Sequence, residues 1–152
     1  MPAETLETLG GKPIRQFSVF TENRMGRLHE LIMLFEKQDV HVLAVTALDT
    51  TDSAILRLVV DDPDRARELL QSNKFPFTES ELLVVEITSV TQLKAVLGAM
   101  LEAEINVHYL YCFLSRPRGR SAVALHVEDR EVAADALRRR QLRLLDQSDL
   151  TR

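Results

Sequence analysis

Hydrophobic and polar positions alternate along this chain with two periods, one typical of strands and one typical of helices. Ile14 to Phe20 alternates polar with apolar residues, whereas Gly26 to Gln38 places its apolar residues on one helical face. Asp62-Pro63 predicts a helix start, because Asp is a favoured N-cap and Pro fits the first helical position. The pattern predicts helices at 26–38, from 62 onward, at 91–104 and at 129–140, and strands at 14–20, 40–48, 55–60, 75–78, 82–87, 105–114, 121–127 and 142–145.

The second half of the chain repeats the first half. The two copies align at an offset of about 65 positions, which grows by about two further along the chain. Aligned pairs include Leu28 with Leu93, Leu31 with Val96, Phe35 with Met100, Leu56 with Val123, Asp62 with Asp129, and Leu70 with Leu137. Because this spacing persists through helices and strands, the chain is predicted to contain a duplicated βαββαβ unit.

Each unit is predicted to form an antiparallel sheet with two helices on one face, the ferredoxin-like arrangement of an α+β protein. We expect the two sheets to join edge to edge, since that would remove two exposed strand edges. The predicted division is a mobile N-terminal tail at 1–12, unit 1 at 13–80 and unit 2 at 81–152. Units of about 70 residues bury little surface alone, so we expect them to pack on each other and the chain to form a homodimer.

Composition adds limits to this picture. The 152 residues are 45% hydrophobic and 28% charged, as in globular proteins, and the net charge of -4 gives no general attraction to nucleic acid or anionic membranes. No apolar run approaches the roughly 20 residues that cross a bilayer, and the N-terminus lacks signal-peptide features, so we expect a cytoplasmic protein. Cys112 is the one cysteine, and its apolar strand predicts a small buried residue.

The turn from Glu22 to Leu28, before the first helix, is the best candidate for a ligand site. A helix start presents unpaired N–H groups and a positive dipole end, which favour a carboxylate or phosphate. Gly26 lets a ligand approach the backbone, because it has no Cβ, and Asn23 offers both donors and an acceptor. On spacing alone, the simpler interpretation is that Gly26 tightens the turn and Asn23 caps the helix.

The second copy lacks this signature, because Thr91 stands at the position of Gly26. Conversely, Asn106 follows the first helix of the second copy, where the first copy has His41. The two polar features are therefore divided between the copies.

Other chemistry has weaker support. The histidines have no metal-ligand spacing, and no nucleotide-binding or hydrolase motif occurs, so we expect no metal, no cofactor and no catalysis. Tyr109, Tyr111 and Phe113 recur on one face of a strand, which is more often core or a partner-facing sheet surface than a base-stacking platform. Arginines at 116, 118, 120 and 138–140 form a basic patch, for which polyanion contact and a helix C-terminal role are alternatives. We expect no nucleic-acid partner and no membrane.

Two short motifs accompany the duplicated βαββαβ unit. E-N-x-x-G-R-L opens the first helix at Glu22 to Leu28, and I-N-V stands at Ile105 to Val107. With the segments 49–52, 55–63 and 109–111, these motifs make the chain resemble the ACT domains, and in particular the small stand-alone bacterial proteins made of two tandem ACT units. The resemblance covers nearly all of residues 13 to 150, and it is more specific in the first copy.

This resemblance implies a regulatory module that binds a free amino acid at the interface of its two units, without catalysis. In such domains the effector generally lies between the strand-to-helix loop of one unit and the helix-to-strand junction of its neighbour. The residues that correspond here are Asn23, Met25, Gly26, Arg27, Leu28, Asn106 and Tyr109.

The roles implied by the resemblance differ along this set. Backbone N–H groups near Gly26 would take the α-carboxylate, Asn23 and Asn106 the α-amino group, and Tyr109 would border the side chain. Many family loops carry an acidic residue and a proline where Asn23 and Met25 stand, so the resemblance does not identify the effector. The alternative function is a ligand-free interaction or dimerisation module that associates with a metabolic enzyme.

Overall fold

The structure is a computed structural model that describes residues 11–22, 26–50, 53–116 and 119–151. Its strands are β1 (Ile14–Glu22), β2 (Val42–Asp49), β3 (Ser53–Val60), β4 (Phe77–Ile87), β5 (Val107–Cys112), β6 (Ser121–Val127) and β7 (Leu144–Leu145). Its helices are α1 (Arg27–Lys37), α2 (Pro63–Ser72), α3 (Val90–Glu102), α4 (Arg130–Arg139) and α5 (Gln147–Leu150). Apart from Gly11 and Lys12, the predicted mobile tail lies outside the described residues.

The strands form the predicted pair of ferredoxin-like units. The strand order is β2-β3-β1-β4 in the first unit and β7-β4-β6-β5 in the second, and these neighbouring strands pair antiparallel. One long strand, β4, belongs to both units, whereas we expected two strands separated by Ser80 and Glu81. The ladder with β1 continues through this boundary, because Gln16 pairs with Ser80 and Arg15 pairs with Glu81. The two sheets are therefore joined through a shared strand.

Most of the helices begin at a side chain that accepts a hydrogen bond from the first turn. Asp62 accepts from the N–H of Arg65, as the Asp-Pro pattern predicted. Ser89 caps α3 and Asp129 caps α4 in the same way. Helix α1 differs, since it begins at Gly26, which has a φ of 92° and no side chain to cap with. A φ in this region favours glycine.

The helices cover one face of the sheet in each unit, as predicted. In unit 1 the apolar sides of α1 and α2 pack on Phe17, Val19 and Leu58. In unit 2 the corresponding helices pack on β4 and β6 around Val85 and Leu125. Each unit therefore has its own helix-side core.

The opposite face of the sheet holds a third core, which both units share. Its buried members from unit 1 include Ile14, Leu43 and Val59, and those from unit 2 include Ala124 and Leu145. The outer strands β2 and β5 also meet, since Ala44 forms an isolated bridge with Phe113 and the N–H of Leu114 donates to Leu43 O at 2.7 Å. The sheet therefore curls until its two ends touch and encloses the shared core.

Three details differ from expectation. Cys112 is exposed, because it follows Tyr111 on the outermost strand and its side chain points away from the shared core. A short helix, α5, follows β7 and has no hydrophobic period long enough to predict it. The β2–β5 contact was also not expected. Within the described residues, no helix has the length and apolar character required to span a membrane.

Candidate functional site

The glycine turn is described from Gly26 onward, while Asn23 and Met25 lie outside the described residues. The first backbone bond of α1 runs from the N–H of Glu30 to Gly26 O, so the N–H groups of residues 27–29 precede the helical ladder. Arg27 forms an ion pair with Glu30 at 2.8 Å and lies over the Phe75 ring at 4.3 Å. Leu28 packs on the core of unit 1. The turn therefore offers backbone donors, with its first side chains already engaged.

Asn106 lies at the start of β5, far along the sheet from this turn. Its Nδ2 donates to Glu128 at 3.1 Å, and its carbonyl accepts from the N–H of Glu128. The position of Asn106 can be followed from strand to strand. Its neighbour Val107 pairs with Val127 of β6, and the register of β6 with β4 places Val127 level with Glu81. Glu81 in turn pairs with Arg15 of β1. Seven residues separate Arg15 from the end of β1, or about 23 Å at about 3.3 Å per residue. Within one chain, the strand register does not bring Asn106 to the glycine turn.

Tyr109 lies at the contact between the two units. Its hydroxyl accepts from Nε2 of Gln16 at 2.6 Å, and Tyr111 donates to Oε1 of the same glutamine at 2.7 Å. Gln16 also donates to Ser80 at 3.0 Å, and it is fully buried. Of the two alternatives for the aromatic stripe, core or a partner-facing sheet surface, the structure places it at the shared core, against the other unit of the same chain. Burial raises the pKa of Tyr111, so its hydroxyl stays protonated as a donor.

Two basic side chains from different strands also contact Tyr109. The guanidinium of Arg57, on β3, lies 4.2 Å from the centre of the Tyr109 ring. The imidazole of His126, on β6, stacks on the same ring at 4.8 Å. Burial, together with the positive charges of His108 and Arg57, lowers the pKa of His126. Among the described residues, Nε of Arg57 and Nδ1 of His126 are buried without a hydrogen-bond partner.

A cleft of about 810 Å³ opens elsewhere, between the start of α2 and the C-terminal helix α5. Its lining includes Arg15, Asp61, Arg67 and Gln147. Arg67 binds Glu79 through two hydrogen bonds of 2.7 and 2.8 Å, and this pairing lowers the pKa of Glu79. The two arginines at this cleft thus have carboxylate partners, since Arg15 also lies 3.9 Å from Glu81.

The basic patch is largely paired where the structure describes it. Arg120 lies 3.6 Å from the buried carboxylate of Glu86, and Arg140 binds Glu102 at 2.6 Å. Arg118 lies outside the described residues. In the ranges that the structure describes, no group of three or more metal-ligating side chains comes together.

Sequence reasoning did not find Arg57, Gln16 or His126. The signal for Arg57 was a lone cation inside the apolar run from Ile55 to Val60. The signal for Gln16 was its place in an alternating strand, where a polar residue is normally expected to face solvent. Both signals become informative once a second unit is known to cover that face.

Comparison with known proteins places the chain in a family. A family model described as an ACT domain pair matches residues 12–152. A crystal structure of a protein from Bacteroides thetaiotaomicron is 27% identical, has a TM-score of 0.81, and aligns over 91% of this chain and 95% of its own. The ligand-free regulatory subunit of aspartate kinase from Thermus thermophilus is 12% identical, with a TM-score of 0.58 over 84% of this chain and 91% of its own.

A second regulatory subunit of aspartate kinase, from Thermus flavus, is 13% identical with a TM-score of 0.55, covering 84% of this chain and 92% of its own. A search of curated proteins gave no sequence match. Since the family model spans nearly the whole chain, this protein belongs to the ACT domain pair family. The two ferredoxin-like units of this chain agree with a domain pair.

Proposed function

We propose that this chain is a non-catalytic regulatory module that binds a free amino acid between ACT units. The observation that carries the proposal is the start of α1. Asp62, Ser89 and Asp129 each cap a helix with a side chain, whereas α1 begins at Gly26 with exposed backbone. Free N–H groups at a helix start are a suitable partner for an α-carboxylate.

The proposed ligand set keeps the residues that the family resemblance implies: Asn23, Met25, Gly26, Arg27, Leu28, Asn106 and Tyr109. Because the register separates Asn106 from the glycine turn within one chain, we propose that they meet across the interface of a homodimer. There Oδ1 of Asn106 would accept a hydrogen bond from the α-amino group, while its Nδ2 keeps the hydrogen bond to Glu128. Tyr109 would border the ligand only if it leaves the inter-unit network, so it is the weakest member of the set.

The regulated partner belongs to the same proposal. The similar Thermus structures are regulatory subunits of aspartate kinase, so we propose that this chain acts on a metabolic enzyme in the cytoplasm. The amino acid would then be the signal, and the enzyme would respond to it.

A second function has one specific observation in its favour. Helix α3 exposes Val90, Leu97 and Leu101, at 81%, 42% and 79% of their surfaces. These positions share one helical face, so they form an apolar stripe that the described part of the chain leaves exposed. A ligand-free interaction module would use this stripe. Leu97→Glu should then abolish dimerisation or enzyme association, as measured by light scattering after gel filtration, while amino acids have no effect.

Thermal unfolding with each of the twenty amino acids tests the main proposal. A ligand at about one hundred times its Kd stabilises the native state by about 2.7 kcal/mol. For a chain of this size, that corresponds to a rise in Tm of roughly 5–10 °C. We expect such a rise with one amino acid or a few related ones, and no rise with the others.

Gly26→Val, with Gly119→Val as its control, locates the effect. Both glycines have positive φ, at 92° and 77°, and a Cβ on either would meet no atom within 4 Å. The two variants therefore carry similar backbone strain, but only the first places a side chain at the proposed carboxylate site. We expect Gly26→Val to lose the ligand-induced rise and Gly119→Val to keep it. Equal responses would place the amino acid away from this turn.

A further inference from the structure

The sheet face opposite the helices carries two aligned rows of side chains across β2, β3 and β1. The first row is polar and consists of Thr46, Arg57 and Ser18. The second row is apolar and consists of Leu48, Ile55 and Phe20. Each row joins directly paired residues, and the rows are two residues apart on every strand, or about 7 Å. Because alternate residues share a face, both rows point to the side on which unit 2 lies.

Arg57 is the one charged member of these rows, and its charge is not compensated. Among the described residues, its Nε has no hydrogen-bond partner and its guanidinium forms no ion pair. Its Cζ lies 4.2 Å from the centre of the Tyr109 ring, and a guanidinium held against a ring can still donate hydrogen bonds in its own plane. His126 also stacks on the Tyr109 ring and His108 lies against His126, so the neighbours described on this side are basic. A half-buried cation without a counter-charge favours binding of an anion.

The apolar row is uncovered at the same place. Phe20 is 37% exposed and Leu48 is 49% exposed. On the same face, two rows further along the strands, Ala44 and Val59 are buried. The buried part of this face therefore ends near the polar row. Phe20 and Leu48 offer an apolar surface beside the charged row.

We propose that this face is a second binding site, for a small carboxylate that carries an apolar side chain. The carboxylate lies against the N–H edge of Arg57, within reach of the Ser18 and Thr46 hydroxyls. The apolar part extends along Phe20, Ile55 and Leu48. Planar carboxylates match the fork of an arginine through two parallel hydrogen bonds, and the spacing of the rows matches a chain of four to six carbons.

This site is independent of the glycine turn. The proposed site includes neither Gly26 nor any residue of α1, and Arg57 pairs with Ser18, eight positions before Gly26. The two sites can therefore be tested separately, and either one can fail without the other.

Titration calorimetry of the full chain with 4-methylpentanoate tests the proposal. Acetate lacks the apolar part and 4-methylpentanamide lacks the charge, so we expect both to bind at least ten-fold more weakly. Arg57→Gln should weaken 4-methylpentanoate about ten- to hundred-fold, the value of one charged hydrogen-bonded pair. Arg57→Lys should recover part of the affinity, because it restores the charge without the planar fork.

Arg139→Gln is the matched control, since it removes the same charge from an exposed helix position. It should leave 4-methylpentanoate binding unchanged, as should Gly26→Val. Arg57→Gln should also unfold at the same or a higher temperature than the parent chain without ligand, because it removes an unpaired charge. A lower unfolding temperature of Arg57→Gln, together with no carboxylate binding in the parent chain, would show that Arg57 only covers Tyr109. That result would overturn the proposal.

Two further outcomes would also overturn it. Inorganic phosphate binding as tightly as 4-methylpentanoate would show a general anion site without apolar selection. Self-association of the parent chain that Phe20→Ser abolishes, without any carboxylate binding, would show that a second copy covers this face.

Discussion

Replacing Gln16 by leucine tests whether the two units are held together by a buried polar network. Gln16 is fully buried and bonds to Ser80, Tyr109 and Tyr111 at 3.0, 2.6 and 2.7 Å. Leucine has a similar size, so the change removes hydrogen bonds and leaves little cavity. Tyr111 then keeps a buried hydroxyl without its partner, which costs about 1–3 kcal/mol. The half-buried Tyr109 can turn to water and adds less.

We therefore expect Gln16→Leu to lower the free energy of unfolding by about 2–4 kcal/mol. Tyr111→Phe leaves the glutamine carbonyl unpaired and should cost about 1–2 kcal/mol. The double variant removes both partners, so its loss should be smaller than the sum of the single losses by at least about 1 kcal/mol. Urea unfolding followed by circular dichroism measures all three, and Gln71→Leu on the exposed side of α2 serves as the control.

Additive losses in the double variant, or a loss below about 0.5 kcal/mol for Gln16→Leu, would refute the network as a link between units. A loss as large in Gln71→Leu would show that leucine acts through the unfolded state and not through these contacts.

Two other predictions concern caps and pH. Asp62→Ala and Asp129→Ala should each lower the free energy of unfolding by about 1 kcal/mol, because they remove equivalent caps in the two units. Urea unfolding measures both losses, and unequal losses would argue against equivalent helix starts. The pKa of His126 is lowered in the folded chain, so the unfolded chain takes up the proton first as the pH falls. The stability that the neutral ring contributes is therefore fully present above about pH 6.5. It is lost as the pH falls through the folded pKa. His126→Gln should flatten this decline in thermal unfolding, whereas His29→Gln, on the exposed side of α1, should not; an unchanged decline in His126→Gln would assign it to other groups.

The repeated units were predictable because their signals are local. The spacing of Leu28, Leu31 and Phe35 recurs 65 residues later, and the caps at Asp62 and Asp129 follow from residue type alone. Such signals depend on neighbours three or four positions away, so one sequence is enough to show them.

The contact between the units was not predictable in the same way. Gln16 and Arg57 look like ordinary polar strand residues until a second sheet covers their face. Whether that face is exposed to solvent or buried depends on the curl of the sheet and on the bridge between Ala44 and Phe113. Both depend on contacts between residues that are far apart in the sequence. Cys112 illustrates the converse, since an apolar strand suggested burial and the uncovered end of the outermost strand exposes it.

The glycine turn shows a third situation. Its backbone geometry was predictable, because a glycine before an amphipathic helix suggests a positive φ, and Gly26 has one. Its partner was not, because the position of Asn106 relative to the turn depends on how two units, and two chains, are assembled.

Titration calorimetry of the full chain against the twenty amino acids measures the proposed regulatory function most directly. We predict a saturable heat with one amino acid or a few related ones, at about one molecule per chain, and its loss in Gly26→Val but not in Gly119→Val. Absence of heat with every amino acid at millimolar concentration would contradict amino-acid sensing and favour the ligand-free interaction module.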